Sequence, residues 1–310
     1  MINVAVLTFQ NGFKRGATDF YPLIKWDKLL RKEGIKVQFF SSHDNKKIIF
    51  QDVVLMDYRY YRTLTIHEDT YPNKKFIIEF IHLLKKKNTK VILFDSGDGA
   101  GGRQWDLIEH VDILLKKQLL KDRQEYTLNK GAYSYMVFLS EYNLSKKAES
   151  DYKKYKEKYT PCPEDQLHKI KLGWNIGMID YRTFPLSRYY PMGTSRLLNS
   201  IYQIPKFDKN LEDRAIDSTF RGELRTDKES YNYQRNKVIQ LFRKEKYPNY
   251  VTGDIISKKA YLKELKNSKT CVSPFGWGEV CFRDFEAIIN GCLLIKPDMD
   301  HLETWPDLYR

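Results

Sequence analysis

Two carboxylates near the C-terminal end, Glu279 and Glu286, stand in the run VSPFGWGEVCFRDFEAIINGCLLIKPDMDHLETWPD (272–307). They are seven positions apart, almost two turns at 3.6 residues per turn, so a helix beginning at Glu279 would present both on one face. A carboxylate accepts hydrogen bonds at both oxygens, which suits the vicinal hydroxyls of a ribose or a hexose. Gly276 and Gly278 precede them in a turn after an apolar strand. Glycines ahead of a helix let backbone N–H groups approach an anion, and the helix N-terminus adds about half a positive charge. Asn290-Gly291 supplies a helix stop, and a buried strand follows. The same residues also suit a capped core helix with two solvent-facing carboxylates.

Two loops of the N-terminal half follow strands: QNGFKRGATD (10–19), with Asn11 and Gly12, and DSGDGAGGR (95–103), with Asp95 and Asp98. Ligands of open parallel sheets lie beyond the carboxyl ends of the strands, so both loops face the expected site. Asp95 or Asp98 then qualifies as a base toward a hydroxyl, the alternative being a carboxylate that stabilises its own turn. Neither loop is followed by the Gly-Lys-Ser/Thr of a phosphate-binding P-loop. The Asp298-Met299-Asp300 triplet has the form of a metal-binding DxD but follows a strand of the wrong kind of unit, and the six histidines show no metal-ligand spacing. No metal and no cofactor is expected.

The elements that must carry these residues alternate. Short apolar runs at 3–9, 36–41, 52–57, 90–94, 111–115 and 169–176 read as strands, with helices at 21–33 and 75–86. Strands separated by crossover helices imply a parallel sheet. Residues 142–166 read as a solvated helix and a Pro-containing loop, and 181–210, with Pro185, Pro191 and Pro205, as a crossing. The alternation then restarts, with strands at 215–220, 249–252, 270–273 and 292–296 and helices at 231–246, 258–267 and 282–290. The expected fold class is α/β, with two Rossmann-like domains at 1–180 and 211–310 facing across a cleft and 181–210 between them. The second unit reads as short of strands and truncated, ending before any return to the first. Its half is therefore expected to be the less stable, or to be completed by a second chain.

A 42% hydrophobic and 14% aromatic composition suits a packed protein rather than a disordered one. Lys and Arg outnumber Asp and Glu by 53 to 40, giving a formal charge of +13, which favours an anionic partner. The four cysteines form no CxxC pair and read as buried free thiols of a reducing compartment. The apolar start is too short for a secretory leader, and no run reaches the roughly 20 apolar residues of a membrane span. A soluble cytoplasmic protein, peripheral at a membrane surface, is expected.

The run GEVCFRDFEAIINGCLLIKP (278–297) resembles the donor-site motif of GT-B glycosyltransferases, including the bacterial capsule and exostosin-like branches. Glu286, Ala287 and Gly291 match the motif's second Glu, its Ala and its Gly, and Glu279 corresponds to the first Glu. The spacing departs: six residues lie between the carboxylates where the common pattern has seven. The resemblance implies that Glu286 contacts the nucleotide ribose and Glu279 the sugar. DSTFRGELR (217–225), ahead of a helix with Arg235, is similar to the opening of the GT-B C-terminal half. That makes Arg221, Gly222, Arg225 and Arg235 candidates for the diphosphate, which the Arg fork suits. The implied partners are a nucleotide-sugar donor and a glycan or lipid-linked acceptor, as in polysaccharide biosynthesis; an anionic membrane surface is compatible with the charge, and an oligomer with the short second unit. The rivals are a nucleotide-sugar epimerase, a basic nucleic-acid-binding protein and an inert binding module. No helix-turn-helix, zinc-finger or RRM signature supports nucleic acid.

Overall fold

The computed structural model describes residues 1–8, 19–60, 72–101, 105–128, 161–179, 181, 213–224, 229–244 and 249–309, the side chains of 72–74 and 229–231 excepted. The first half supplies β1 (Ile2–Leu7), β2 (Ile35–Phe40), β3 (Val53–Asp57), β4 (Lys90–Asp95), β5 (Ile113–Lys116), β6 (Gln118–Leu120) and β7 (Ile170–Leu172). All but β6 form one parallel sheet in the order β2-β1-β3-β4-β5-β7. The central strands β3 and β4 are buried on both faces, which is why they read as continuous apolar runs. Alternate residues serve opposite faces. Val54, Met56, Val91 and Leu93 pack with Ile77, Ile81 and Leu84 of α3 (Pro72–Lys86). Leu55 and Phe94 pack with Phe20, Leu23 and Trp174 on the other side.

The helix expected over 21–33 is two, α1 (Tyr21–Lys25) and α2 (Asp27–Lys32), because Trp26 leaves the helical region at φ −100°, ψ 19°. The strand expected at 111–115 starts two residues later, and that at 169–176 is confined to Ile170–Leu172. Most of 142–166 and of the crossing 181–210 lies outside the described residues.

The second half supplies β8 (Ile216–Arg221), α4 (Glu229–Lys244), β9 (Tyr250–Gly253), α5 (Lys258–Lys266), β10 (Ser268–Val272), α6 (Phe282–Ile289) and β11 (Leu293–Ile295). Its four strands are parallel, in the order β11-β10-β8-β9. The chain is thus an α/β protein with two parallel, Rossmann-like sheets. Ser257 caps α5 through Ala260 N (3.3 Å), and Gly291, at φ 76°, follows α6. Among the described residues, no helix is long and apolar enough to cross a membrane.

The chain does return to the first half. A last strand, β12 (Leu302–Thr304), pairs antiparallel with β6, Leu302 opposite Leu120 and Thr304 opposite Gln118. Asn175 then holds the following turn, donating from its N to Trp305 O (2.8 Å) and from Nδ2 to Pro306 O (3.0 Å). Phe275, Val280, Phe285, Met299 and Leu302 of the second half belong to the same buried cluster as the core of the first sheet. The core of the first sheet thus extends into the loops, α6 and last strand of the second half, while Leu265, Cys271, Ala287 and Cys292 form a separate core for the second sheet. The four cysteines are free, with Cys162, Cys271 and Cys292 buried.

The carboxyl edge of the first sheet is charged. Asp57, ending β3, is fully buried and accepts from Thr8 Oγ1 (2.9 Å), Ser96 Oγ (2.9 Å) and Arg59 N (3.0 Å). Burial pushes its carboxyl above the usual range, and the charge of Asp19 adds to this. A group that holds its proton more tightly folded than unfolded loses stability as pH rises through that window. Asp57→Asn preserves an acceptor without the charge. It is expected to be more stable than the parent at pH 7, with the gain vanishing below about pH 4, where the carboxyl is protonated both folded and unfolded. Thermal melts at the two pH values check this; an equal difference at both would contradict it.

Candidate functional site

In the second sheet the chain leaves β8 to one side for β9 and leaves β10 to the other side for β11. The crevice beyond the carboxyl ends of β8 and β10 is a topological switch point, where such sheets bind ligands. A cavity of about 550 Å3 opens there, within the range of about 300–1,000 Å3 usual for ligand sites. Arg221, Gly222 and Glu223 reach it from the end of β8, and Arg235 from α4. Ile255, Ile256, Lys258 and Tyr261 come from the β9–α5 connection and the start of α5. The Gly276–Gly278 turn, Arg283 and Glu286 close the other side, and Asp98 and Ile176 enter from the first half.

Glu286 lies on α6 as expected, only 6% exposed, and lines the cavity. Its partner does not follow it. The helix starts at Phe282, because Cys281 is extended and its N–H donates to Asp284 Oδ2 (2.9 Å), setting the first turn three residues after Glu279. The two carboxylates therefore do not share a helical face. Glu279 is 1% exposed, and its Oε2 accepts from Ala100 N (3.0 Å) and Gln118 Nε2 (3.3 Å), both from the first half. It does not line the cavity, so the expectation that it touches a sugar gives way to a tether between the halves.

The two base candidates separate likewise. Asp95 is buried, forms an ion pair with Lys116 and accepts from Gly97 N (2.8 Å), and it does not line the cavity. Asp98 lines the cavity with a side chain 38% exposed. Gly276 and Gly278 also line it, and Gly222 is required by a close approach: a Cβ there would stand 2.7 Å from the Phe220 ring.

Of the expected diphosphate arginines, Arg221 is held by Glu264 through Nε (3.0 and 3.1 Å) and Nη2 (2.7 Å), so its charge is compensated. Arg235 is buried and donates from Nη1 to Glu223 O (2.7 Å). Arg225, Asn11 and Gly12 lie outside the described residues. The sequence reading missed Arg283. Its guanidinium lies 5.1 Å from the centroid of the Phe220 ring and donates from Nη2 to Arg221 O (2.9 Å). Among the described residues no carboxylate forms an ion pair with it. The signal was present, since 283 is three residues before 286 and hence on the same helical face. Cys281 also lines the cavity, and burial raises its thiol above the ordinary value.

Chemically, the cavity offers cationic forks and a buried carboxylate for hydroxyls from one half, and a second carboxylate from the other. Asp298 and Asp300 are apart from it, Asp298 Oδ1 accepting from Asp300 N (2.7 Å). Fold and site together define an α/β protein of parallel, Rossmann-like sheets with an arginine-rich cavity at a switch point. A comparison with protein-family models gives no match, and neither does a comparison with curated proteins.

Proposed function

We propose that the chain is a glycosyltransferase of the GT-B kind, moving a sugar from a nucleotide-sugar donor to a hydroxyl of a glycan or lipid-linked acceptor. One observation carries the reading: Arg283, Arg235 and Glu286 line a single cavity at the switch point of the second sheet, and Asp98 enters it from the first half. The resemblance of 278–297 to a donor motif supports it from a separate direction.

Arg283 and Arg235 face the diphosphate, and Glu286 accepts hydrogen bonds from the ribose hydroxyls. The acceptor oxygen forms its bond to the anomeric carbon while the bond from that carbon to the diphosphate oxygen breaks, and the electron pair leaves on the phosphate. Fixed cations stabilise that developing charge without reorganising. Asp98 takes the proton of the acceptor hydroxyl.

The test is release of nucleoside diphosphate from a panel of UDP-, GDP- and ADP-sugars, with and without oligosaccharide acceptors. Release is expected from at least one donor, and to persist in EDTA because the arginines neutralise the leaving group. Loss on chelation with recovery on Mn2+ would contradict that second expectation. No release from any donor, or a sugar epimerised while still attached to its nucleotide, would contradict the transferase itself.

A further inference from the structure

Asp98 follows β4, and the strands beside β4 are β3 and β5. Each neighbour places a cation just past its carboxyl end: Arg59 two residues after β3, and Lys117 directly after β5. The two converge on one oxygen of Asp98, Arg59 Nη2 at 3.5 Å and Lys117 Nζ at 3.4 Å from Oδ1. Both are anchored behind it. Arg59 Nη1 meets Asp19 Oδ2 at 2.7 Å, and Nη2 donates to Ser96 O (2.6 Å). Lys117 Nζ stands 3.7 Å from Asp19 Oδ1. The Lys117 side chain is 3% exposed, and a buried ammonium is costly to keep unless its charge is used. The Asp98 backbone is fixed as well, its carbonyl accepting from Gln118 Nε2.

We infer that Arg59 and Lys117 are positioning residues that hold the Asp98 carboxylate ionised and turned toward the cavity, where it meets the acceptor hydroxyl. This rests on the transferase reading above. Two cations on one oxygen favour the charged form of a carboxylate and restrict its rotation. The other charged groups about it are Asp19 and Asp57 behind the cations, Asp95 paired with Lys116, and Glu279 from the second half, which shares Gln118 with the Asp98 carbonyl. Burial works against the charge of Arg59, yet Asp19, Asp98, Asp57 and Asp95 together outweigh it and raise its pKa. Arg59 therefore stays charged throughout the working pH range.

The experiment compares the wild type with Arg59→Met, Lys117→Met, Arg59→Lys and Lys117→Arg, using whichever UDP-, GDP- or ADP-sugar the wild type turns over. Three quantities are read: calorimetric affinity for the corresponding nucleoside diphosphate, kcat and KM for release, and the pH profile of kcat. The Met variants are expected to bind the diphosphate as the wild type does and to keep KM, while kcat falls about tenfold, part of what a general base contributes. The acid limb of their profile should move to higher pH, since loss of a neighbouring positive charge makes a carboxylate easier to protonate. Lys117→Arg and Arg59→Lys should recover part of kcat and return the limb toward the wild-type position. If the Met variants do not fold, the conservative pair must still show lowered kcat at unchanged diphosphate affinity. Wild-type kcat and profile in the Met variants, or a fall in kcat with no movement of the limb and no recovery, overturns the inference while leaving the transferase standing. If the wild type turns over none of these donors, the transferase reading falls and takes this inference with it.

Discussion

Replacing Arg283 with alanine is expected to weaken binding of a nucleoside diphosphate by about 1.5–3 kcal/mol, roughly a tenfold to hundredfold rise in Kd. Its guanidinium lines the cavity, and no described carboxylate forms an ion pair with it, so its charge is available to phosphate oxygens. What it gives to the fold is its bond to the Arg221 carbonyl, a long one from Nη1 to Ser273 Oγ (3.5 Å) and its place against the Phe220 ring, so the variant should stay folded by circular dichroism. Arg221→Ala should behave in the opposite way. Arg221 is already paired with Glu264, and its removal strips the partner from a carboxylate whose side chain is only 9% exposed. The loss should therefore appear in the melting temperature more than in affinity. Calorimetry and thermal melts on both variants check the contrast, and equal losses of affinity would contradict the division of roles.

The second large effect belongs to Gly278. A Cβ there would lie 1.4 Å from the Asp98 carbonyl oxygen, 2.2 Å from its carbon and 3.0 Å from Gly99 N. All three are backbone atoms, so no side chain can rotate away, and the junction between the halves must open. Overpacking of this kind costs about 1–3 kcal/mol, or more, and Gly278→Ala should reach or exceed the upper end. It should also reduce turnover, because it displaces the segment carrying Asp98. Gly276→Ala is the matched comparison: its Cβ would meet the Cys281 sulfur at 3.1 Å, a side chain able to give way. A melting temperature for Gly278→Ala equal to that of Gly276→Ala would count against the close approach.

Much of the fold was legible because the central strands are buried on both faces and therefore read as unbroken apolar runs, as at 53–57 and 90–94. The position of Glu286 was legible for a local reason too, since Asn290-Gly291 fixes the end of its helix and counting back places the carboxylate. Glu279 was not: the helix expected at 282–290 does form at Phe282–Ile289, which leaves Glu279 ahead of its first turn, and the partners of that carboxylate, Ala100 and Gln118, are more than 150 positions away. Such a contact leaves no periodic trace in the chain. The tie between β6 and β12 escaped for the same reason, three-residue strands carrying too little pattern to be recognised. Lys116-Lys117, inside the apolar stretch ILLKKQLL (113–120), was a readable anomaly: charges amid a buried run imply carboxylate partners close by, here the buried Asp95 and Asp19 and the partly exposed Asp98.

The central claim is that the cavity beyond β8 and β10 binds a nucleoside diphosphate with Glu286 on its ribose. Isothermal titration of the wild type and of Glu286→Ala with UDP, GDP and ADP, and with the matching monophosphates, tests it most directly. One diphosphate should bind at one site per chain, its monophosphate more weakly, and Glu286→Ala should lose about 1–3 kcal/mol while remaining folded. Absence of binding by all three diphosphates, or undiminished affinity in a folded Glu286→Ala, would contradict it.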